Sequence, residues 1–520
     1  MNLIHDAWIP AVRRDGMRGY IAPWQIGTDS NPVTDLSAPR ADFQGALHEF
    51  LIGLLQTAFA PQDEEEWEER WHQPPSGKEL AAAFGRLAEA FELDNENGPA
   101  FLQDYELPDD AESWSIRKLL IDYAGSPEVF VKPESITGLC DRCVAAALYA
   151  SQAYSPAGGR GHRTGLRGSG PLTTLLRTGG SDRHALWQDL WLNVLASDRV
   201  QGSNAELSPS VFPWLGPTHV SPNGEVVNPG DVDQLHVYWA MPRRFRITGR
   251  TQTGSCSLCG ANGNTWQQIR TRPFGTNYSS TWQHPLSPYR VATSKDDEAA
   301  RILLSTKGKR GSFTYANWLA LTIGVATNSE APESAAAPVQ LFNKRRRYRL
   351  PEPEEVVVWC FGYHMDNAQA RCWYEHQWPL AQVDADKIDA FVQGTETLSD
   401  AAVTVASLLP KWVGMAWADT SPGDMSFVAR SFYRESERDF LRSVTGMRNA
   451  VTSPEESTSS NEVLADWHTK LWRWTKTLFD RYALAGPPEA LDMERVAKAL
   501  DGLERQFFAN KLIRQLKEGR

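Results

Sequence analysis

Cys140 with Cys143 and Cys256 with Cys259 form two CxxC pairs, and 112 residues lie between Cys143 and Cys256. Each pair holds two thiols on a tight turn, at a spacing that lets both reach one ion. Two such turns complete a tetrahedral zinc site with no position left open to water, which makes the site structural. In small zinc domains the apparent binding free energy is on the order of 10 kcal/mol, enough to pin together segments far apart in sequence. The competing reading is two unrelated thiol pairs or a redox motif, and neither pair has the βαβ surroundings of a thioredoxin-like site. The first pair opens the helical stretch CVAAALYASQAY, and the second ends on Gly260, where glycine relieves the turn. Cys360 and Cys372 remain as ordinary buried thiols.

Beside each pair lies a stretch without carboxylates. Arg142 to Ser181 holds five arginines and no Asp or Glu, and Gln234 to Lys295 holds eight Lys or Arg and again none. In a chain of net charge -11 such segments imply a surface that attracts an anion, with a phosphate backbone the leading candidate. The first stretch contains Gly158-Gly159-Arg160-Gly161-His162-Arg163-Thr164-Gly165-Leu166-Arg167-Gly168-Ser169-Gly170, where missing side chains let backbone approach a ligand. It is not a nucleotide-hydrolysing loop: no GK[ST] follows, and a helix rather than a strand precedes it. The plain alternative is a solvated surface loop. The second stretch brings Arg243, Arg244, Arg246 and Arg250 toward Arg270-Thr271-Arg272-Pro273-Phe274, interleaved with Trp266, Phe274 and Tyr278, which suits phosphate contact with base or ribose stacking. Lys344 to Arg349 is a third basic run, and Asp63 to Glu69 an acidic one. Each is read as a solvated face, the basic run alternatively as a subunit contact.

The elements that carry these residues change character near residue 380. At 520 residues and 41% hydrophobic content the chain can bury a large core and suggests two to four domains. Residues 1–380 are irregular and rich in Gly, Pro and Trp, with a helix at Phe43 to Phe59 and a strand at Val356 to Trp359. They read as one large mixed α/β domain that contains the zinc site. Residues 381–520 are helical: Leu464, Trp467, Leu471, Trp474, Leu478 and Tyr482 share one stripe, and Val496, Leu500, Leu503 and Phe507 another. With helices over about Asp384 to Leu409 and Asp424 to Arg448, and breakers at Gly486-Pro487-Pro488, this part predicts a four-helix bundle. No apolar run approaches the roughly 18 residues of a membrane span, and the start MNLIHDAWIP is unlike a signal peptide. With six cysteines in so long a chain, too few for a disulfide framework, the expected location is cytoplasmic, with no membrane partner.

The order of motifs MNLIHDAWIP, GLCDRC, GLRGSG with PLTTLLRTGG, SCSLCG, WQHPLSP and GYHMDN, followed by a helical bundle, resembles the CasA family, the large subunits of type I-E CRISPR Cascade complexes. The likeness runs over nearly the whole length. It implies a mixed α/β N-terminal domain with a four-cysteine zinc site, and a C-terminal four-helix bundle. It also implies a DNA-inspecting role: recognition of a protospacer-adjacent motif in duplex DNA, strand separation that starts the R-loop, and recruitment of a helicase-nuclease. Implied partners are the target duplex, the crRNA 5′ handle, and the backbone and small subunits of Cascade. The family's glycine loop matches Ala157, Gly158, Gly159, Arg160 and Gly161. Its basic finger falls at Arg270 or Arg272, where a planar arginine replaces a lysine and a different motif preference is expected. Its wedge falls at Asp366 to Gln369, with Asn367, Ala368 and Gln369 as the inserted residues, and Phe130 matches an aromatic that contacts the crRNA handle.

Three classes of function remain: a nucleic-acid-binding subunit without catalysis, a nuclease with a carboxylate site assembled from distant residues, and a structural scaffold. No HExxH, GxSxG or Walker motif is present, and the eleven histidines show no metal-ligand spacing.

Overall fold

The computed structural model describes residues 1–96, 98–124, 135–156, 159, 161–179, 185–197, 207–293, 301–308, 313–324, 334–350, 355–366, 369–417, 423–453, 458–485 and 491–518. They fall into two units, residues 1–308 with 335–379, and residues 309–334 with 380–520. No helix among the described residues is long and apolar enough to cross a membrane.

The first unit is built round the helix Ala41–Ala58, in which every residue from Gly45 to Thr57 is buried. A helix apolar on nearly all faces must lie inside. Phe50 at its centre meets Trp8, Phe91, Phe101, Tyr149 and Trp239 edge-on, with centroids 5.3 to 5.9 Å apart. Each such pair adds about 1 kcal/mol beyond the area it buries. Gly45 lets the Phe361 ring approach so closely that a Cβ there would fall 2.5 Å from it.

Small antiparallel sheets surround this helix. Glu112–Ser115, Asn262–Arg272 and Arg244–Ser255 form one, with Asn262–Arg272 in the middle. Thr173–Thr178, Val356–Asp366 and Gln369–Pro379 form another, with Val356–Asp366 central. Thr173–Thr178 covers only Val356 to Phe361, so the outer part of the Val356–Pro379 hairpin continues as a two-stranded ribbon to the pair Asp366 and Gln369. A register slip between His364 and Met365 increases the twist of that ribbon. The expected strand Val356 to Trp359 is thus less than half of the observed one.

Two charged runs read as solvated faces meet each other instead. The Arg346 guanidinium is fully buried and bonds Glu64 at 2.9 Å, with its plane 4.2 Å from the Trp67 ring centre. Arg349 bonds Glu68 at 2.7 Å. An opposite charge offsets the cost of burying this guanidinium, and that charge lies 282 residues away in the chain.

The second unit contains four long helices, Ile388–Trp417, Ser426–Thr452, Ser460–Ala483 and Met493–Ala509, and the short Lys511–Glu518. The first runs through Pro410 rather than ending at Leu409, because Val413, Gly414 and Ala416 beyond it are buried and hold the helix together despite the missing amide. Leu464, Trp467, Leu471 and Leu478 line the core as expected, but Thr475 occupies the slot next to Trp474, whose indole turns out to bond Asp439 at 2.9 Å. Tyr315, from the segment 313–324, stacks on Phe440 at 4.2 Å and shares a hydrogen bond with Ser436. That segment belongs with the helices although it precedes them by about 70 residues in sequence. The breaker Gly486-Pro487-Pro488 lies outside the described residues.

Candidate metal centre and nucleic-acid interface

The four thiols converge because two short backbone pieces are hydrogen-bonded to each other. Leu139 and Trp266 exchange amide bonds of 3.0 and 2.8 Å, and Ser257 donates from its amide to Gly138 at 2.9 Å. The Ser257 hydroxyl in return accepts from the amides of Thr137 and Gly138. The second knuckle closes on itself: Gly260, at φ +72°, donates to Cys256 at 2.9 Å, and Cys256 donates to Ala261 at 2.8 Å. As a result the Sγ atoms of Cys140, Cys143, Cys256 and Cys259 all lie within 4.8 Å of one another, with Cys140 and Cys259 3.6 Å apart. A tetrahedral ion with metal–sulfur bonds of about 2.3 Å places its sulfurs about 3.8 Å apart, so the cluster matches that geometry. The thiols of Cys140 and Cys256, then burial, push the Cys143 thiol far up, while hydrogen bonds from Cys140 and Cys143 pull Cys256 down. Four sulfurs this close ionise together only around a cation. Cys360 is buried as expected, and Cys372 is half-buried.

From this cluster two elements run to a common end. The helix Asp141–Tyr154 starts at the first pair and extends about 21 Å. The strand Asn262–Arg272 starts just past the second and extends about 36 Å. Their far ends carry the glycine stretch and the arginine loop, and these touch: the Phe274 amide donates to Gly161 at 2.6 Å. Gly161 has φ +80°, and a Cβ on it would fall 2.9 Å from the rings of Phe274 and Pro273. The two loops are therefore neighbours, as the zinc reading expects, though at the opposite end of helix and strand from the thiols.

The stretch beyond Gly161 is held rather than solvated. Arg163 donates to the Ser221 hydroxyl at 2.9 Å and carbonyl at 2.6 Å. Arg167 is buried on Glu49 at 2.7 Å, and Glu49 also accepts from Tyr154 and Thr173. At the end of the stretch, a Cβ on Gly170 would fall 2.6 Å from Met365 and 2.7 Å from the Tyr363 carbonyl. One run of chain thus seats against the arginine loop at Gly161 and against the hairpin at Gly170.

Many arginines of the two carboxylate-free stretches are held by carboxylates or carbonyls elsewhere in the chain. Arg244 pairs with Asp104 at 2.6 Å, Arg250 with Asp94, Arg177 with Asp189 at 2.9 Å, and Arg167 with Glu49. Arg243 is buried on the Pro156 carbonyl. Arg270 donates to the Pro108 carbonyl, and Arg272 pairs with Asp110, whose carboxyl this hydrogen bond holds below its usual range. The absence of Asp and Glu along a segment therefore does not leave its arginines free, which corrects the reading of the two stretches as open anion-attracting surface.

Of the predicted DNA contacts, Gly159, Gly161, Arg270, Arg272 and Gln369 are described, with Gln369 opposite Asp366 at the start of the second hairpin strand. Ala157, Gly158, Arg160, Asn367, Ala368 and the predicted RNA contact Phe130 lie outside the described residues. Two neighbours of these loops carried no sequence signal: Asp110, which pairs with Arg272, and Trp114, whose ring lies 5.2 Å from that of His162 beside the glycine loop. Among the described residues the four cysteines are the only group of three or more His, Cys, Asp or Glu placed to hold a metal ion.

The model of the CRISPR-associated protein Cse1 family matches residues 2–478. Among solved structures, that of Thermus thermophilus CasA (Cse1) superposes with a TM-score of 0.64 at 16% identity, covering 99% of each chain. Thermobifida fusca Cse1 gives 0.68 at 18% identity, covering 99% of this chain and 98% of that one. A chain of a CRISPR RNA-guided surveillance complex gives 0.68 at 15% identity, covering 98% and 99%. The mixed α/β part with a cysteine cluster, the C-terminal helices and the matched family agree, and the chain belongs to the Cse1 family of CRISPR-associated proteins.

Proposed function

We propose that the chain is the large, non-catalytic subunit of a CRISPR RNA-guided Cascade surveillance complex, that it inspects duplex DNA for a short motif, and that it opens the strands there. In this reading it contacts the crRNA handle through the segment containing Phe130, sits beside the backbone and small subunits, and presents the complex to a helicase-nuclease. The observation that supports it most is the single run Gly161 to Gly170, seated at one end on the arginine loop and at the other on the hairpin. A reader and a wedge joined by one rigid connector suit a protein that must couple recognition to strand separation. Gly159 and Gly161 offer backbone without side chains, which fits the shallow, degenerate pattern of the minor groove. Separating each base-pair step costs about 1 to 2 kcal/mol, which guide pairing and phosphate contacts offset.

The cysteine cluster fits zinc: four sulfurs at tetrathiolate spacing leave no open position, so bound zinc supplies structural closure and no chemistry on substrate. The test is a binding series on duplexes varied only at the motif, using the guide complex reconstituted with and without this chain. Motif-dependent binding that requires the chain is the expected result. Equal binding to all duplexes, or binding that does not need the chain, favours the scaffold reading, and Mg²⁺-dependent cleavage by the purified chain favours the nuclease.

A further inference from the structure

Around the connector and the hairpin, cations are spoken for: Arg163, Arg167, Arg243 and Arg272 have the partners named above, and Arg371 pairs with Asp366 at 3.3 Å. Lys307 and Arg290 differ, since the side chain of neither makes a hydrogen bond or ion pair with any protein group among the described residues. Lys307 bridges to Pro171, its neighbour Gly308 bridges to His364 of the hairpin, and its Nζ lies 3.2 Å from where a Cβ on Gly168 would stand. Arg290 stands on the adjacent strand pair Tyr289–Thr293 and Arg301–Ser305, opposite Leu304. Burial, and next the charge of Arg290, lower the Lys307 pKa, and among the described residues no carboxylate counters them. Two like charges held together are relieved by a bound anion.

The backbone beside them has the matching form. Gly168 and Gly170 have φ of +80° and +56°, and the amides of Ser169 and Gly170 donate to no protein acceptor among the described residues. Successive free amides in such a turn form an anion-binding concavity.

We propose that Lys307, Arg290 and the amides of Ser169 and Gly170 form a phosphate site at the base of the hairpin, which takes a phosphodiester of a nucleic-acid strand. The inference deepens the DNA-inspecting reading and rests on it. A phosphate gripped there anchors a strand beside the element that parts the duplex, and the contact is indifferent to base identity.

The test uses the reconstituted guide complex and a motif-bearing duplex, titrated over a salt series. Lys307→Gln and Arg290→Gln each lower the slope of log affinity against log salt by about one unit, equally for all motifs, and Lys307→Arg restores it. Duplex binding also shields Lys307 from acylation in the wild-type complex, a readout that needs no variant to fold. Wild-type binding with unchanged slopes and no shielding overturns the site and leaves the DNA reading standing. Wild-type complexes that bind no duplex overturn the DNA reading itself. Inorganic phosphate that raises the melting temperature of the wild type but not of the double variant, without a duplex effect, shows a small-anion site and overturns the nucleic-acid assignment.

Discussion

Arg346 is surrounded by Glu64, the Leu192 carbonyl and the Trp67 ring, none of them near it in sequence. Arg346→Met or Glu64→Ala leaves the other member charged and dry, and is expected to cost about 3 to 5 kcal/mol, read as a fall in the denaturation midpoint. The pair of half-buried Arg272 and exposed Asp110 behaves differently, because water reaches and screens it. Asp110→Asn is expected to leave the melting temperature unchanged and to free the Arg272 guanidinium. Duplex affinity of the assembled complex then rises at low salt, with a salt slope steeper by about one unit. An unchanged slope shows that Arg272 does not face a phosphate. CxxC spacing is a local signal, so the four cysteines placed to hold a metal ion are readable from the chain itself. Which arginine is free is not, since the answer depends on carboxylates such as Asp104, Asp94 and Glu49 that the fold carries to it.

At the scale of elements, the position of the glycine loop depends on one backbone conformation. Gly161→Val places a branched side chain at φ +80° and against Phe274, where about 1 to 3 kcal/mol of strain is expected. The loop and the Pro273–Phe274 turn should then separate, seen as faster amide exchange of Phe274, while the helices of the second unit exchange as before. The helix Ser460–Ala483 carries a reciprocal cap, in which Ser459 accepts from the Glu462 amide and Glu462 accepts from the Ser459 amide. Ser459→Ala is expected to cost about 1 kcal/mol, measured by denaturation of the full chain. That helix was legible from its apolar spacing, and the capping box seen in the structure marks the same start. Continuation of Ile388–Trp417 through Pro410 was not, because the local signal says stop and only burial of the following turn overrides it.

For the whole molecule, the proposed zinc and the buried histidines bear on the conditions under which the first unit stays folded. One zinc ion per chain is expected by elemental analysis. Cys143→Ser or prolonged chelation should release it and speed exchange at both ends of Leu139 and Trp266. His236 is buried between the Ser210 carbonyl and the Tyr278 hydroxyl, and burial lowers its pKa to about 4, while burial and then Arg167 keep His284 well below its usual value. A histidine whose folded pKa is depressed takes up protons more readily unfolded. Stability is therefore full above about pH 6.5 and is lost as pH falls toward the folded value, by up to about 1.4 kcal/mol per pH unit for each. Calorimetry at pH 7 and 5.5 should show the lower midpoint at 5.5, and equal midpoints would show that these histidines are not held neutral.

Periodicity marked the helical C-terminal part, cysteine spacing marked the four clustered thiols, and the order of motifs carried the family resemblance, because each is a pattern written over a few consecutive residues or a fixed order of motifs. Tertiary structure alone decided which charges cancel, that residues 313–324 join the C-terminal helices, and that one glycine run links the arginine loop to the hairpin. The physical reason is that ion pairing and close packing depend on distance in space, and in this fold several of the partners are far apart in sequence, as Arg167 and Glu49 are by 118 residues.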